Sequence, residues 1–273
     1  SASVGLTVCT ACAVGTYTSS AGLTECAQAA AGKYACIGSD TDGTGVNSAA
    51  EAECACPSGR YAAAGASACA QAAAGKFACD TDGTGVSTLA VAECRCPVGT
   101  YTSEVGLTVC TAAQEGYYAS IAGTAASSAA TGETQAAAGK YACRASDSDG
   151  TGEATGADDE CDCPAGMYSA TAGVTECTAC AVGTYASSTG LTECTAATAG
   201  SFASIGGTAA NSAATGETQA AAGKYACRAS DNDGTGEATG ADDECDCPVG
   251  MYASSAGLTE CTAATAGSFA SIG

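Results

Sequence analysis

A small disulfide-rich fold, mainly β hairpins and irregular loops in an elongated linear repeat array with little helix, is what this sequence predicts. Three observations predict it: 21 cysteines in 273 residues, a near-absence of large apolar side chains, and self-similarity on the scale of a single hairpin. Leu, Ile, Val and Phe together make only 25 of the 273 residues, and there is no Trp and no His. A chain so poor in large apolar groups and carrying a net charge of −21 has too little surface to bury to offset its conformational entropy. Cross-links change that balance by shrinking the unfolded ensemble; a loop of about 15 residues closed by a bridge is worth roughly 3 kcal/mol. Cysteine at this density implies an oxidising compartment, so the expectation is a secreted, extracellular or cell-surface protein.

The acidic balance excludes several functions. Eight Lys and Arg against 29 Asp and Glu offer no basic face for nucleic acid phosphates or for anionic membranes. No apolar run reaches the roughly 20 residues of a membrane span, so no transmembrane segment is expected.

Three kinds of unit recur. The first runs from Cys through G-x-Y to a second Cys: Cys12 to Cys26, Cys56 to Cys69, Cys96 to Cys110, Cys163 to Cys177, Cys180 to Cys194 and Cys247 to Cys261. Its β-formers precede a Ser/Ala/Gly turn with Leu-Thr after it, the pattern of a small hairpin. Tyr17 with Leu23, Tyr101 with Leu107 and Tyr185 with Leu191 are expected to cover the bridges. The second kind opens on AAAGKYAC or AAAGKFAC and ends in an acidic loop: Cys36 to Cys54, Cys79 to Cys94, Cys143 to Cys161 and Cys227 to Cys245. The third has no cysteine and occupies 119–135 and 203–219. Ala119–Cys177 returns at Ala203–Cys261, so the array grows by duplicating whole units, as in a solenoid in which each unit touches only its neighbours.

The chain accordingly divides into cysteine-rich units at 1–26, the first truncated; two acidic-loop plus hairpin units at 27–110; a Cys-free segment, an acidic unit and two hairpins at 111–194; and a repeat of these at 195–273, truncated again. Pairing within units uses 20 cysteines and leaves Cys9, which matches the closing cysteine of a unit cut by the start of the window. Other connectivities remain formally open.

CTACAVGTYASSTGLTEC at 177–194, and the CPxG(T/M/R)Y starts at 56, 96, 163 and 247, resemble the ephrin-receptor-like cysteine-rich repeat and its relatives among tumour-necrosis-factor-receptor modules; similar strings occur in cysteine-rich surface proteins of protists. The resemblance implies a bridge from the Cys before P-x-G-x-Y to the Cys after the hairpin. Cys12 and Cys180 depart from it, being followed by Ala-Val rather than Pro.

Chemistry-bearing candidates are few. Asp40-Thr-Asp42-Gly recurs as Asp147-Ser-Asp149-Gly and Asp231-Asn-Asp233-Gly, with Glu51, Asp158 and Asp242 at the twelfth position of each loop. Those are the oxygen-ligand positions of a calcium loop; the competing reading is a solvated Asp-Gly turn. The shorter copy, with Asp80 and Asp82, has Val91 there instead. Thiolate zinc sites from Cys9/Cys12, Cys54/Cys56 or Cys161/Cys163 give way to disulfides in an array without His. Without His there is no Ser-His or Cys-His nucleophile, and no catalytic residues are expected. Ser/Thr clusters such as GTAASSAATGETQ invite O-glycosylation, whereas no Asn-x-Ser/Thr sequon exists. The function these features indicate is a structural building block of an extracellular fibre, surface coat or stalk, with copies of itself as partners. A ligand-binding or adhesive receptor ectodomain is the alternative.

Overall fold

The computed structural model describes residues 9–38, 40–229 and 231–270; the truncated unit ends at 1–8 and 271–273 lie outside the described residues. Among these there is no helix, and the strands form twelve separate antiparallel sheets, ten of two strands and two of three. The Ala-rich AQAAAGK runs form a short strand and a turn.

All three unit types are one module. Each begins at a left-handed glycine in G-x-(Tyr/Phe), and these start glycines number the modules 1 to 12: Gly15, Gly32, Gly59, Gly75, Gly99, Gly116, Gly139, Gly166, Gly183, Gly200, Gly223 and Gly250; Gly267, before Ser268 and Phe269, is left-handed in the same pattern and opens a thirteenth. The strand that follows pairs with the next, as Thr16–Tyr17 with Ala27–Gln28 and Lys33–Cys36 with Ala52–Ala55. Between the strands the chain makes a return through a second left-handed residue. It is glycine in most modules, but Ala49, Leu89, Ala129 and Ala213 hold it in modules 2, 4, 6 and 10. A non-glycine residue in this conformation costs about 1–2 kcal/mol. In each of these four the strained residue donates its N–H to the carbonyl of the cysteine that opens the preceding module, Cys12, Cys56, Cys96 or Cys180.

The Cys-free segments are the long module with its bridge replaced. In module 2, Tyr34 lies opposite Cys54 and Cys36 opposite Ala52. In module 10, Phe202 lies opposite Thr218 and Ser204 opposite Gly216. Ser204 and Thr218 therefore stand where Cys36 and Cys54 stand, and their hydroxyls hydrogen-bond at 2.7 Å. Ser120 and Thr134 repeat the pair at 2.8 Å.

The chain divides into two compact units. The first holds the residues up to Ala113 with Ala119–Thr134; the second holds Gln114–Tyr118 and the residues from Gln135 on. Within each, neighbouring modules are joined by backbone. The residue after the module's aromatic donates its N–H to the next module's return: Thr18 to Ala50, Ala35 to Ala66 and Ala78 to Leu107 in the first unit, Ala142 to Val174, Ser169 to Leu191 and Ala226 to Leu258 in the second. Short parallel bridges accompany this, such as Tyr61 with Ala90 and Tyr185 with Ala214.

The contacts also extend beyond nearest neighbours. The return of module n+2 sets a carbonyl oxygen against the start glycine of module n. A methyl group built on Gly15, Gly32, Gly59 or Gly75 would stand 1.7–2.3 Å from the carbonyl oxygen of Gly65, Leu89, Gly106 or Ala129. In the second unit the same closeness holds for Gly116, Gly139, Gly166, Gly183 and Gly200 against Gly173, Gly190, Ala213, Gly240 and Gly257. Return glycines answer with N–H bonds in the reverse direction, Gly65 to Ala29 and Gly106 to Ala72 at 2.7 Å, Gly173 to Ala136 and Gly257 to Ala220 at 2.8 Å. Only a residue without a Cβ leaves room for that approach.

With so few large side chains, the cores are small and local. Tyr34, Tyr141 and Tyr225 are wholly buried, each beside its module's bridge. Around them the buried set is mostly Ala and Cys. Tyr101 and Tyr185 pack on clusters of buried alanines, Ala113, Ala119, Ala126 and Ala130 for the first, Ala197, Ala203, Ala210 and Ala214 for the second. Leu23 is 59% exposed, and Leu107 and Leu191 serve the preceding module through their carbonyls.

Gly59→Ala should lower the unfolding free energy by about 2 kcal/mol more than Gly83→Ala, by denaturant titration with bridges intact. Gly83 is also left-handed, at φ +81°, but nothing lies within 4 Å of its missing Cβ, so equal losses would show that the carbonyl contact does not hold the fold. The double variant Ser204→Cys/Thr218→Cys should close an eleventh bridge on oxidative refolding and stabilise by about 3 kcal/mol. Three thiols titrating in the folded double variant, in place of Cys9 alone, would contradict the equivalence.

Candidate functional site

The acidic loops and the cysteines that bound them are the places where the sequence points to chemistry. The structure joins Cys12–Cys26, Cys36–Cys54, Cys56–Cys69, Cys79–Cys94, Cys96–Cys110, Cys143–Cys161, Cys163–Cys177, Cys180–Cys194, Cys227–Cys245 and Cys247–Cys261. Cys9 is exposed and unbridged. The cysteines weighed as thiolate ligands at 12, 54, 56, 161 and 163 are therefore all in disulfides.

Each long acidic loop folds on itself. Asp42 Oδ1 accepts both the N–H and the hydroxyl of Thr44 at 2.7 and 2.5 Å. Asp149 does the same with Thr151, and Asp233 with Thr235. The threonine hydroxyl first, and its N–H second, hold these three carboxyls below the usual aspartate range. Asp40 accepts the N–H of Asp42, while Asp147 and Asp231 accept those of Arg144 and Arg228. In the short loop Asp80 accepts from both Asp82 and Thr84.

The twelfth-position residues lie elsewhere. Glu51 is exposed, and its N–H bonds Cys36 O. Asp158 and Asp242 are 7% exposed, their N–H groups on Cys143 O and Cys227 O, and Asp242 Oδ1 accepts from Ala229. Among the described residues no group of three or more ligand-type side chains converges as a metal site. The calcium reading of Asp40, Asp42 and Glu51, of Asp147, Asp149 and Asp158, and of Asp231, Asp233 and Asp242 thus gains no support. The loop carboxylates serve the loop's own backbone instead.

Beneath each long loop sits a tyrosine. Gly43, Gly150 and Gly234 donate their N–H groups to the hydroxyls of Tyr34, Tyr141 and Tyr225 at 3.2, 3.3 and 3.2 Å. Burial raises the phenol pKa of Tyr34 and Tyr141. In module 4 the loop is shorter, Gly83 bonds Asp80 O instead, and the aromatic is Phe77. The choice between Tyr and Phe among these four modules follows whether the loop brings an N–H down to be satisfied.

The same loops account for three of the four prolines. The missing Cβ of Gly43, Gly150 and Gly234 would lie 3.2–3.3 Å from the Cδ of Pro57, Pro164 and Pro248, so the Asp-Gly turn rests on the ring that starts the next module. All four prolines follow an acidic loop. Cys12 and Cys180, with alanine after them, have no such loop immediately before.

A glutamate clasp, which no motif in the sequence announced, recurs along the chain, as in modules 2, 4, 7, 10 and 11. Glu53, Glu93, Glu160 and Glu244 each accept the N–H of the alanine three residues before the module's lysine, Ala30, Ala73, Ala137 or Ala221. The same carboxylates pair with Lys33, Lys76, Lys140 and Lys224. In module 10, where Ser201 replaces the lysine, Glu217 takes both the N–H and the hydroxyl of Thr198. The signal for this was the invariant Glu in AEC, DEC and GET, visible only once the Cys-free segments are aligned with the rest.

What this arrangement can do chemically is brace. Asp42, Asp149 and Asp233 are committed to turns and Glu53, Glu93, Glu160 and Glu244 to lysines, whereas Asp158 Oδ1 is buried without a hydrogen-bond partner. Comparison with protein-family models finds no match, and comparison with curated proteins finds none either.

The clasp should be sensitive to pH. The lysine hydrogen bonds first, then the alanine N–H for Glu53, hold the Glu53 and Glu93 carboxyls below their ordinary value. Their contribution is therefore present above the unfolded-state pKa and lost as pH falls through the depressed one. The pKa values of Lys33, Lys140 and Lys224 are raised by their glutamates, so that contribution is complete below the ordinary lysine value and lost only as strong alkali passes the raised one. Amide exchange at Ala30 and Ala73, corrected for intrinsic rates, should lose protection below about pH 4. The amides of Ala29 and Ala72, bonded to Gly15 O and Gly59 O, should keep theirs. Unchanged protection at Ala30 and Ala73 would show that the carboxylates do not hold the turn.

Proposed function

We propose that this chain is a structural building block of an extracellular fibre, surface coat or stalk, acting by cross-linking and rigidity and not as an enzyme. The observation that carries this reading is the indifference of the module contact to module type. One glycine-to-carbonyl contact serves short modules against short (Gly15 with Gly65), long against short (Gly139 with Gly190), short against long (Gly183 with Gly240) and Cys-free against short (Gly200 with Gly257). Such an interface suits a scaffold extended by copying, whereas a ligand site depends on one module differing from the rest.

Two further features support it. Ten bridges in 273 residues suit an oxidising, extracellular setting. No helix among the described residues is long and apolar enough to cross a membrane. The likeness to ephrin-receptor-like repeats we read as one of scaffold, carried by the cysteine three residues before the start glycine. The exposed Ser and Thr of the returns are where O-glycans would sit on such a surface.

Electron microscopy of the native material tests the proposal. Fibres or an ordered layer with a regular spacing are expected. Dispersed single molecules that purify with a bound ligand would overturn it in favour of a receptor.

A further inference from the structure

The four acidic loops carry the same dipeptide. Asp42-Gly43, Asp82-Gly83, Asp149-Gly150 and Asp233-Gly234 are each followed by Thr-Gly, so the chain around the pair reads alike in all four. Asp-Gly is open to a change of backbone linkage, because glycine has no Cβ to shield its nitrogen from the carboxyl before it. What holds the nitrogen and the carboxyl then decides which copy changes.

In the three long loops both groups are held. Gly43, Gly150 and Gly234 are buried and donate their N–H groups to the hydroxyls of Tyr34, Tyr141 and Tyr225. Asp42, Asp149 and Asp233 each accept the N–H and the hydroxyl of the threonine two residues on. Those bonds hold the carboxyls below the usual aspartate range, and an ionised carboxylate resists attack by a nitrogen. The rings of Pro57, Pro164 and Pro248 close the space beside the glycines.

The short loop of module 4 holds neither group in this way. Asp82 and Gly83 are both exposed, and nothing lies within 4 Å of the missing Cβ of Gly83. Its N–H donates to Asp80 O at 3.2 Å within an exposed turn, since Phe77 has no hydroxyl to offer. Thr84 gives its N–H to Asp80 Oδ1 and not to Asp82. Among the described residues no hydrogen bond or ion pair holds the Asp82 carboxylate.

We propose that Asp82-Gly83 is a site of spontaneous isoaspartate formation, and that the tyrosine beneath each long loop guards the other three pairs. The Gly83 nitrogen bonds to Cγ of the Asp82 carboxyl in its protonated form. The Cγ–O bond breaks, and one water leaves with the amide hydrogen. Solvent water then adds to one of the two carbonyls of the five-membered ring and breaks its bond to nitrogen. Opening at the side-chain carbonyl restores aspartate. Opening at the main-chain carbonyl routes the backbone through Cβ and Cγ, one carbon longer, and leaves the carboxylate on Cα. The Cys79–Cys94 bridge spans this loop, so the altered turn stays stapled to its module.

The test is incubation of the oxidised full chain at neutral pH, then reduction, digestion and electron-transfer mass spectrometry, which separates isoaspartate from aspartate in each of the four peptides. Asp82 should convert at least about tenfold faster than Asp42, Asp149 or Asp233, where hydrogen bonds must open first. In the reduced and alkylated chain, where the loops are no longer held, the four rates should converge. Tyr34→Phe gives module 2 an aromatic that module 4 already accommodates, and circular dichroism checks its fold. In that variant Asp42 should convert faster, while Asp149 and Asp233 keep their wild-type rates as internal controls. Equal rates at the four pairs of the folded chain would overturn the inference. So would an Asp82 excess that persists in the reduced chain, or an unchanged Asp42 rate in Tyr34→Phe.

Discussion

A carbonyl oxygen lodged where a side chain would otherwise begin is the constraint on which the rest of this structure depends. In both compact units the return of one module sits against the start glycine two modules back, closer than any Cβ permits. That contact explains why glycine and aromatic recur together throughout the chain while the residues around them vary. It also explains how a chain with under a tenth of its residues as Leu, Ile, Val or Phe can fold. Order comes from backbone hydrogen bonds that each module donates to its successors, with a disulfide or a hydroxyl pair inside each hairpin. The bridges reduce the entropy of the unfolded chain, whereas the ladder sets how modules stack.

Much of the fold was legible in the sequence. Turn residues between β-formers, a cysteine on either side, and copies at regular offsets indicate stapled hairpins without reference to any relative. The unity of the modules was not legible, because the units were aligned on their cysteines. A bridge is dispensable: Ser204 and Thr218 replace it with a hydrogen bond and leave the register intact. Aligned on G-x-(Tyr/Phe), the Cys-free segments are ordinary members of the array. The second-neighbour contact was hidden for a different reason, since a space that must stay empty leaves only a glycine, and glycines are abundant here for turns as well.

The acidic loops show the opposite error, a pattern that signals more than it does. D-x-D-G with a carboxylate at the twelfth position places oxygens at the right intervals along the chain. The return strand then carries Asp158 and Asp242 inward beside Cys143 and Cys227, while Asp149 and Asp233 turn back on Thr151 and Thr235. Loop and core are coupled instead through Tyr141 and Tyr225, whose hydroxyls meet the loop's glycine N–H groups. Phe77 beneath the short loop was the clue within the sequence.

If the ladder is what organises the modules, its bonds should be among the last to open. The most direct measurement is native-state amide exchange at Gly65, Gly106 and Gly173, which donate to Ala29, Ala72 and Ala136 two modules away. The account predicts protection at these loop glycines equal to that of Tyr34 and Tyr141 in the paired strands. Exchange as fast as that of an exposed turn would contradict it, leaving the hairpins as independent beads held only by their bridges.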